Sequence, residues 1–501
     1  MKNSISRRAF VQTSLSAAAG LAAFPYINCG KIGVRRPMKR MMGRLGFEAT
    51  TLGLGGQASI QWTPEREYPH QIILKAFDLG VNYFDTSNLY GPSQTHYGKA
   101  FRALDLIPGQ AGYNEKLRRS IFLTSKTHLR WAKGSKPVKG VTNWSNDPDA
   151  EHTLEDVRRS LSQIYGDGSG AYPDGAYLDM VLIHDLTTSE EVDALYTGLE
   201  NPDPQAEQIG ALAALRDVRD GTNRTGLNPK EEKLIRHVGF SGHFSPPAMI
   251  EMIQQDRENL LEGLLVAVNA NDRLYFNMQH NVIPVASAKN MGIIAMKVFA
   301  DGAMYTKDSN WSWKPEHVVR TVGSADLPSR PLAEYSLTVP GIHTAIIGIG
   351  HVDDDPTKCQ LTQNLSAAQI APHGLSEDER RAREIPAHQV KDGKTNYFQM
   401  EKQGLIPPRE SALIQTSRDG TRLIRLIWQT AFAGDEPIRA YEVSRDGMVL
   451  GRVDHEPQTT PKPFLFDDTS PTSESHEYTI VSVDAAGKRS DPVRLFTQAS
   501  A

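Results

Sequence analysis

The 501-residue chain reads as an α/β protein: a (β/α)8 TIM barrel followed by a small all-β sandwich. Three observations predict this. Eight short apolar runs alternate with longer segments of helical periodicity over about 320 residues, the rhythm of repeated strand–helix units. The runs are near-continuously apolar, as strands covered on both faces are. Beyond about residue 410 the hydrophobic period becomes two, as in antiparallel strands with one solvated face. The expected boundaries are 1–30 for an N-terminal signal, 40–370 for the barrel, 371–410 for a linker with the last barrel helix, and 411–501 for the sandwich.

Hydrophobic residues make up 39% and charged residues 23% of the chain, enough apolar material for a substantial core. The net charge of −4 offers no basic field for nucleic acid. No stretch has the ~18 consecutive apolar residues of a membrane span. The two cysteines, Cys29 and Cys359, form neither a metal cluster nor a disulfide framework.

The chain opens MKNSISRRAFVQTSLSAAAGLAAFPYINCG. A charged start, an Ala-rich apolar middle and small residues near the end have the layout of a signal peptide. Arg7 and Arg8 within S-R-R-x-F resemble the twin-arginine export signal, and Ala17 to Ala19 offer a cleavage site. The bulky Tyr26 and Asn28 before Cys29 argue against a lipid anchor. The twin-arginine export machinery is thus an expected partner, and a periplasmic or otherwise exported location is expected. That route carries folded proteins, which suits an enzyme that binds its cofactor before leaving the cytoplasm.

In order, the runs read as strands are TLGLGG (51–56), VNYFD (81–85), IFLTSK (121–126), LDMVLIHD (178–185), HVGFSG (237–242), LLVAVN (264–269), GIIAMK (292–297) and TAIIGIG (344–350). Patterns such as PHQIILKAFDLG (69–80) and TLEDVRRSLSQIYG (153–166) supply the intervening helices. After the Pro- and Gln-rich stretch to 410 come LIRLIWQT, IRAYEVSRDGMVLG and HEYTIVSVDAAGKRSDPVRLF. The spacing of Trp428, Tyr441 and Tyr478 resembles the core of a fibronectin type III module.

Chemistry in such a barrel sits where strands end at their C-terminal side. Asp85 closes the second run and Tyr90 follows it, Lys126 closes the third, and His184 closes the fourth. These runs are neighbours, so the four side chains should converge. A phenol is a weak acid, with a pKa near ~10; a nearby ammonium favours the phenolate and lowers that value. A carboxylate would keep the Lys charged and in place. Tyr90 could then exchange a proton with a carbonyl oxygen while His184 polarises that oxygen.

These residues carry a resemblance. From about 43 to 365 the chain resembles an aldo-keto reductase. FDTSNLYG is similar to the family's D-x-A-x-x-Y-G motif, with Ser87 where Ala is usual. The resemblance implies a catalytic tetrad of Asp85, Tyr90, Lys126 and His184, and an NAD(P)-dependent transfer of hydride between cofactor and a carbonyl or alcohol substrate. It also implies dinucleotide contacts at Gly56 and Gln57 after the first strand, Asp85, and Ser241 and Gly242 in VGFSGH. Further contacts fall at Asn269, Lys297 in GIIAMKVFADG, Gly348, Gly350, Gln360 and Asn364, the last meeting adenine. Gly242 stands where many members have Asn. Asp354 and Gln360 occupy positions that hold basic residues in members using NADP. With the acidic run DDD at 353–355, NAD is favoured over NADP, although His351 and Lys358 could substitute. No metal site is expected.

Two loops are long for the fold: 127–147, directly after Lys126, and 200–210. Trp131 and Trp144 in the first could line a pocket, and Trp faces suit carbohydrate rings. Three other readings stay open. GLGGQA (53–58) fits a Rossmann-type glycine pattern, though SIQWTPEREYP after it is no helix start. The barrel could be a non-catalytic binding module of the cell envelope. It could also be a redox-neutral lyase or epimerase holding NAD tightly.

Overall fold

The computed structural model describes residues 37–134, 138–418, 421–469 and 472–499; the twin-arginine segment, its cleavage site and Cys29 lie outside them. In chain order the strands are Lys39–Met41 (β1), Glu48–Thr50 (β2), Leu52–Gly55 (β3), Tyr83–Asp85 (β4), Phe122–Thr127 (β5), Trp131–Lys133 (β6), Leu178–Ile183 (β7), Ile209–Gly210 (β8), Ile235–Gly242 (β9), Leu261–Ala267 (β10), Gly292–Met296 (β11) and Thr344–Gly348 (β12). Eight of them, β3, β4, β5, β7, β9, β10, β11 and β12, close a parallel barrel. These are the eight runs read from the sequence. β4, β5 and β7 are buried along their whole length, which is why their sequences show no alternation.

The hairpin β1–β2 carries Met42 and Leu45 into a cluster with Tyr83, Phe122, Met180, Leu265 and Ile294. This apolar plug fills the barrel below the strand ends where chemistry would sit. The helices turn one apolar stripe to the barrel. In Thr153–Tyr165, Leu154, Val157, Leu161 and Ile164 are buried, a spacing of three and four residues that keeps them on one face. Among the described residues no helix is long and apolar enough to cross a membrane.

The stretch 371–410, read as a linker with the last barrel helix, holds such a helix and is largely structured against the barrel. Helix Glu377–Gln389 is capped reciprocally: Ser376 Oγ accepts the Glu379 amide while Glu379 accepts the Ser376 amide. Residues 395–399 then run back as a strap, with Thr395, Asn396 and Phe398 buried. The sandwich follows as β13 (Arg409–Arg418), β14 (Thr421–Gln429), β15 (Ile438–Arg445), β16 (Met448–Asp454), β17 (Phe464–Asp468), β18 (Glu477–Asp484) and β19 (Val493–Phe496). Sheets β13-β14-β17 and β16-β15-β18-β19 enclose Trp428, Tyr441, Val443, Tyr478 and Ile480. The sandwich docks on the barrel through Phe276 against Phe432, 5.2 Å apart, and through Asn281, which accepts from Ala433 N at 2.8 Å and donates to Ala433 O at 3.2 Å.

Candidate active site

Four side chains meet at the C-terminal ends of three adjacent strands. Asp85 ends β4 and Lys126 lies one residue from the end of β5; Lys126 Nζ stands 2.6 Å from Asp85 Oδ1 and donates to Thr86 O at 2.9 Å. The ammonium also lies 4.6 Å from the centroid of the Tyr90 ring. His184 follows β7, and its Nε2 is 3.3 Å from the Tyr90 hydroxyl. On its other side Nδ1 is 3.3 Å from Ser87 Oγ. Ser87 Oγ already accepts the Leu89 amide at 3.1 Å, so its hydrogen is free to be donated to Nδ1. Nε2 then carries the imidazole hydrogen and faces the phenol. The serine in this motif thereby sets the tautomer.

Burial dominates the electrostatics. It pushes the Asp85 carboxyl up and the Lys126 ammonium down, while contact between them draws both back toward the ion pair. His184 is held neutral by burial, reinforced by the charge of Lys126. The sequence led us to expect a phenol lowered by its ammonium neighbour. Instead Tyr90 lies well above its ordinary value, because burial raises it and the charges of Asp85, Asp185 and Asp301 add to the rise. Tyr90 is therefore a protonated hydroxyl, ready to donate.

Tyr90 and Asp85 stand at one end of a cleft that passes Gln57, Lys297, Asp301 and Gly348 and ends at Gln360 and Asn364. Lys297 Nζ donates to Gln57 Oε1 at 3.0 Å and lies 4.4 Å from the Trp311 ring centroid; burial lowers its pKa. Burial works against the Asp301 carboxylate, yet Lys297 and Lys307 keep its pKa below the usual range. At the far end Asn364 Nδ2 donates to Gln360 O at 2.9 Å, while Asn364 Oδ1 is buried without a partner. Segment 301–323 lies over the cleft. Trp62 Nε1 donates to Ser312 O at 3.0 Å, Arg320 pairs with Glu67 at 2.9 Å, and Gln360 Nε2 donates to Val319 O and Thr321 O at 3.2 and 3.1 Å.

Several residues expected at a cofactor have other occupations. Gln360 Oε1 accepts the Gly350 and His351 amides, so its side chain is a pin between strand end and covering segment. Gly350 packs under Val318, where a Cβ would stand 2.5 Å from a methyl carbon. Asn269 is fully buried and exchanges two 3.0 Å hydrogen bonds with Asn396 of the strap. Ser241 Oγ accepts the Asp185 amide at 3.0 Å, and Gly242 lets Met249 approach to where a Cβ would be 2.7 Å from its sulfur. Gly56 passes so close to Asp85 O that a Cβ would sit 2.5 Å from it. Asp354 faces Lys75 at 3.3 Å. Trp131 is buried in β6 opposite β8, whereas Trp144 is exposed with its ring 5.1 Å from that of His128. Beside the tetrad the structure adds His128, Asp185 and His243, which our sequence reading missed. Their signal was position alone: Asp185 follows the predicted catalytic His, and His243 follows the β9 end.

The profile of the Aldo/keto reductase family matches residues 51–325, more than half of the chain. The chain is 22% identical over 371 residues to the uncharacterized oxidoreductase YqkF of Bacillus subtilis, an alignment covering 71% of this chain and 97% of that protein. A Klebsiella pneumoniae aldo/keto reductase, solved in complex with NADP and acetate, superposes with a TM-score of 0.42 at 16% identity over 69% of this chain and 94% of its own. Fibronectin(III)-like modules of Clostridium thermocellum CbhA superpose with a TM-score of 0.14 at 18% identity, covering 18% of this chain and all of theirs. The span of the profile match decides membership: the chain belongs to the aldo/keto reductase family.

Proposed function

We propose that this oxidoreductase interconverts a carbonyl compound and its alcohol with a nicotinamide dinucleotide held in the cleft, Tyr90 serving as proton donor and acceptor. One observation carries the reading: a protonated phenol, 3.3 Å from a neutral imidazole and backed by a buried Lys–Asp pair, stands at the end of a cleft whose far wall presents an unpartnered acceptor, Asn364 Oδ1. That orphaned oxygen suits the exocyclic amine of adenine. Lys297 suits a pyrophosphate charge, and the Cβ-free Gly348 leaves room beside Gln57. When bound, the dinucleotide supplies or accepts the hydride. The protein's own part is to hold the carbonyl oxygen between Tyr90 Oη and His184 Nε2, to deliver the phenolic proton to it, and to leave the resulting phenolate beside the Lys126 ammonium.

NAD suits the adenosine end better than NADP. Three cations around this end are already engaged, Lys75 with Asp354, Arg320 with Glu67 and Lys358 with Asp355, and a 2′-phosphate would meet carboxylates. Residues 1–30 fit export by the twin-arginine route after folding, so that the dinucleotide travels with the enzyme. The pinned segment 301–323 supports such retention and keeps a redox-neutral cycle on bound cofactor as the second reading.

Titrating the purified protein with NADH and NADPH, read by quenching of tryptophan emission, tests this directly. Saturable binding, tighter for NADH, is expected. Failure to bind either dinucleotide sinks the proposal, and tighter binding of NADPH reverses the choice of cofactor.

A further inference from the structure

Arg130 lies shortly after Lys126 in the chain and is fully buried. Its Nη2 donates to the carbonyls of His184 and Asp185 at 2.8 and 3.1 Å and stands 3.3 Å from Glu191 Oε1. Both carbonyls reach one nitrogen because Asp185 takes left-handed backbone, φ +53°, where a continued strand would turn them to opposite sides. A non-glycine residue holds that conformation at a cost, and only where its surroundings over-determine it. Here they do. The His184 amide donates to Thr127 O at 2.8 Å and the Asp185 amide to Ser241 Oγ at 3.0 Å. The backbone that carries the imidazole is thus fixed from β5, from β9 and from Arg130.

Arg130 is itself held in place. Its amide donates to Asn143 Oδ1 at 2.6 Å, and its carbonyl accepts from Ala211 N at 2.9 Å. Glu191, fully buried in helix Ser189–Tyr196, accepts from the Thr142 amide at 3.1 Å and from the Thr187 amide at 2.8 Å. Thr142 and Asn143 belong to the long segment 127–147, so the Arg130–Glu191 pair ties that segment to the loop that His184 opens. A buried ion pair seldom stabilises a fold more than the apolar groups that could replace it, and Arg130 Nε and Nη1 make no hydrogen bond within the protein. A neutral amide would satisfy the same carbonyls with less desolvation. What the guanidinium adds is reach and rigidity, since one planar group bridges two successive carbonyls and a carboxylate.

We propose that Arg130 and Glu191 are positioning residues for the catalytic histidine: the pair holds the His184 backbone where Nδ1 meets Ser87 and Nε2 meets the Tyr90 hydroxyl. Both contacts are 3.3 Å long, so a shift of about 1 Å at His184 breaks them, and displacements on that scale cost an enzyme about 10²-fold in rate. The segment 127–147 then has a task apart from any contact with substrate, which is to build the mount behind the imidazole. This rests on the reading of His184 as the group that polarises a carbonyl and adds what keeps it in register with Tyr90.

The test uses the full-length protein labelled with ¹⁵N-histidine, the His184 signals being identified by their loss in His184→Gln. The wild type should show hydrogen on Nε2 alone. Arg130→Met, similar in length and without donors, should bring the two ring-nitrogen shifts toward each other as both tautomers become populated. Glu191→Gln leaves the backbone bonds of Arg130 in place and serves, with a smaller shift in the same direction, if Arg130→Met does not fold. A rate measurement separates positioning from general support of the fold. With benzaldehyde as the probe and the preferred dinucleotide, Arg130→Met should lower kcat by roughly ten- to a hundredfold in the otherwise unchanged enzyme. In the His184→Gln background it should lower kcat by no more than about twofold. Equal falls in both backgrounds, or an imidazole spectrum unchanged in Arg130→Met and Glu191→Gln, overturns the positioning role. A protein that binds neither NADH nor NADPH sinks the reductase reading, while the spectrum, which needs no turnover, still decides the role of Arg130.

Discussion

Two buried polar networks lie at the C-terminal mouth of this barrel, and they differ in how far they are closed. In the first, the Asp85–Lys126 pair supports Tyr90 and His184, whose hydroxyl and ring nitrogen meet at 3.3 Å and face the cleft. In the second, Asp272 Oδ1 accepts from Met278 N and Gln399, and Oδ2 accepts twice from Gln279. Asn396 joins Asn269 and Gln399 in the same web. Every atom named in the second network has a partner, and the network fastens the strap to the barrel. The first keeps groups in reserve for a ligand. A saturated network has structural consequences when cut, an unsaturated one catalytic consequences, and the predictions below separate the two.

The largest expected effect belongs to the open network. Tyr90→Phe removes the proton donor and keeps the ring that packs under Lys126, so turnover should fall by roughly 10²–10⁴-fold. Dinucleotide binding and the unfolding midpoint should stay near wild type. Near-normal turnover would falsify the role given to Tyr90.

The closed network should behave in the opposite way. Asp272→Ala takes the acceptor from two backbone amides and two side-chain amides, and each buried donor left unpaired costs roughly 1–3 kcal/mol. A loss of about 3 kcal/mol or more in denaturant unfolding is expected, with the specific activity of the fraction still folded largely kept. If activity collapsed while stability held, the division between the networks would be wrong.

The same contrast explains what could be read from the sequence. Each of the eight strands announces itself through a local apolar run, and the tetrad residues fall at run ends, so short-range pattern located both. The strap could not be found this way. Asn396 and Gln399 meet residues 127 positions earlier, Asn269 and Asp272, and nothing local marks such a pairing. The capping box at Ser376 and Glu379 was a legible sign of where the helix expected within 371–410 begins. The hydrogen bonds that Gln360 and Asn269 make within the protein were illegible for another reason. An amide suits a cofactor and a backbone carbonyl equally well, and only the fold decides which it meets.

Beside the first network lies Asp156, which accepts from Thr127 Oγ1 at 2.8 Å and Ser145 Oγ at 2.7 Å and also holds Asn88 of the loop that carries Tyr90. Burial raises its carboxyl to about 6, above the ~3.9 of an unfolded chain. Between these values the folded state binds the proton more tightly, so Asp156's contribution falls as pH rises from about 4 to 6 and is flat above. The span is about 2–3 kcal/mol at 1.36 per unit. Asp156→Asn should lack that slope, which unfolding at pH 4.5 and 7 would show as a smaller change than in the wild type. An identical change in both proteins would mean that Asp156 is ionised throughout.

Ser87→Ala should have the smallest effect and the most specific one. Ser87 Oγ accepts from Leu89 N and stands 3.3 Å from His184 Nδ1, so its loss removes two neutral hydrogen bonds, of which only the second, worth roughly 0.5–1.5 kcal/mol, bears on the imidazole. The expected fall in kcat/KM is therefore only a few-fold, far short of that for Tyr90→Phe. The informative readout is the imidazole itself. In the wild type the ¹⁵N spectrum of His184 should show hydrogen on Nε2, whereas the alanine variant should populate both tautomers, because nothing else donates to Nδ1. A serine that merely filled space would leave the tautomer unchanged. The open network would then owe its orientation to packing alone.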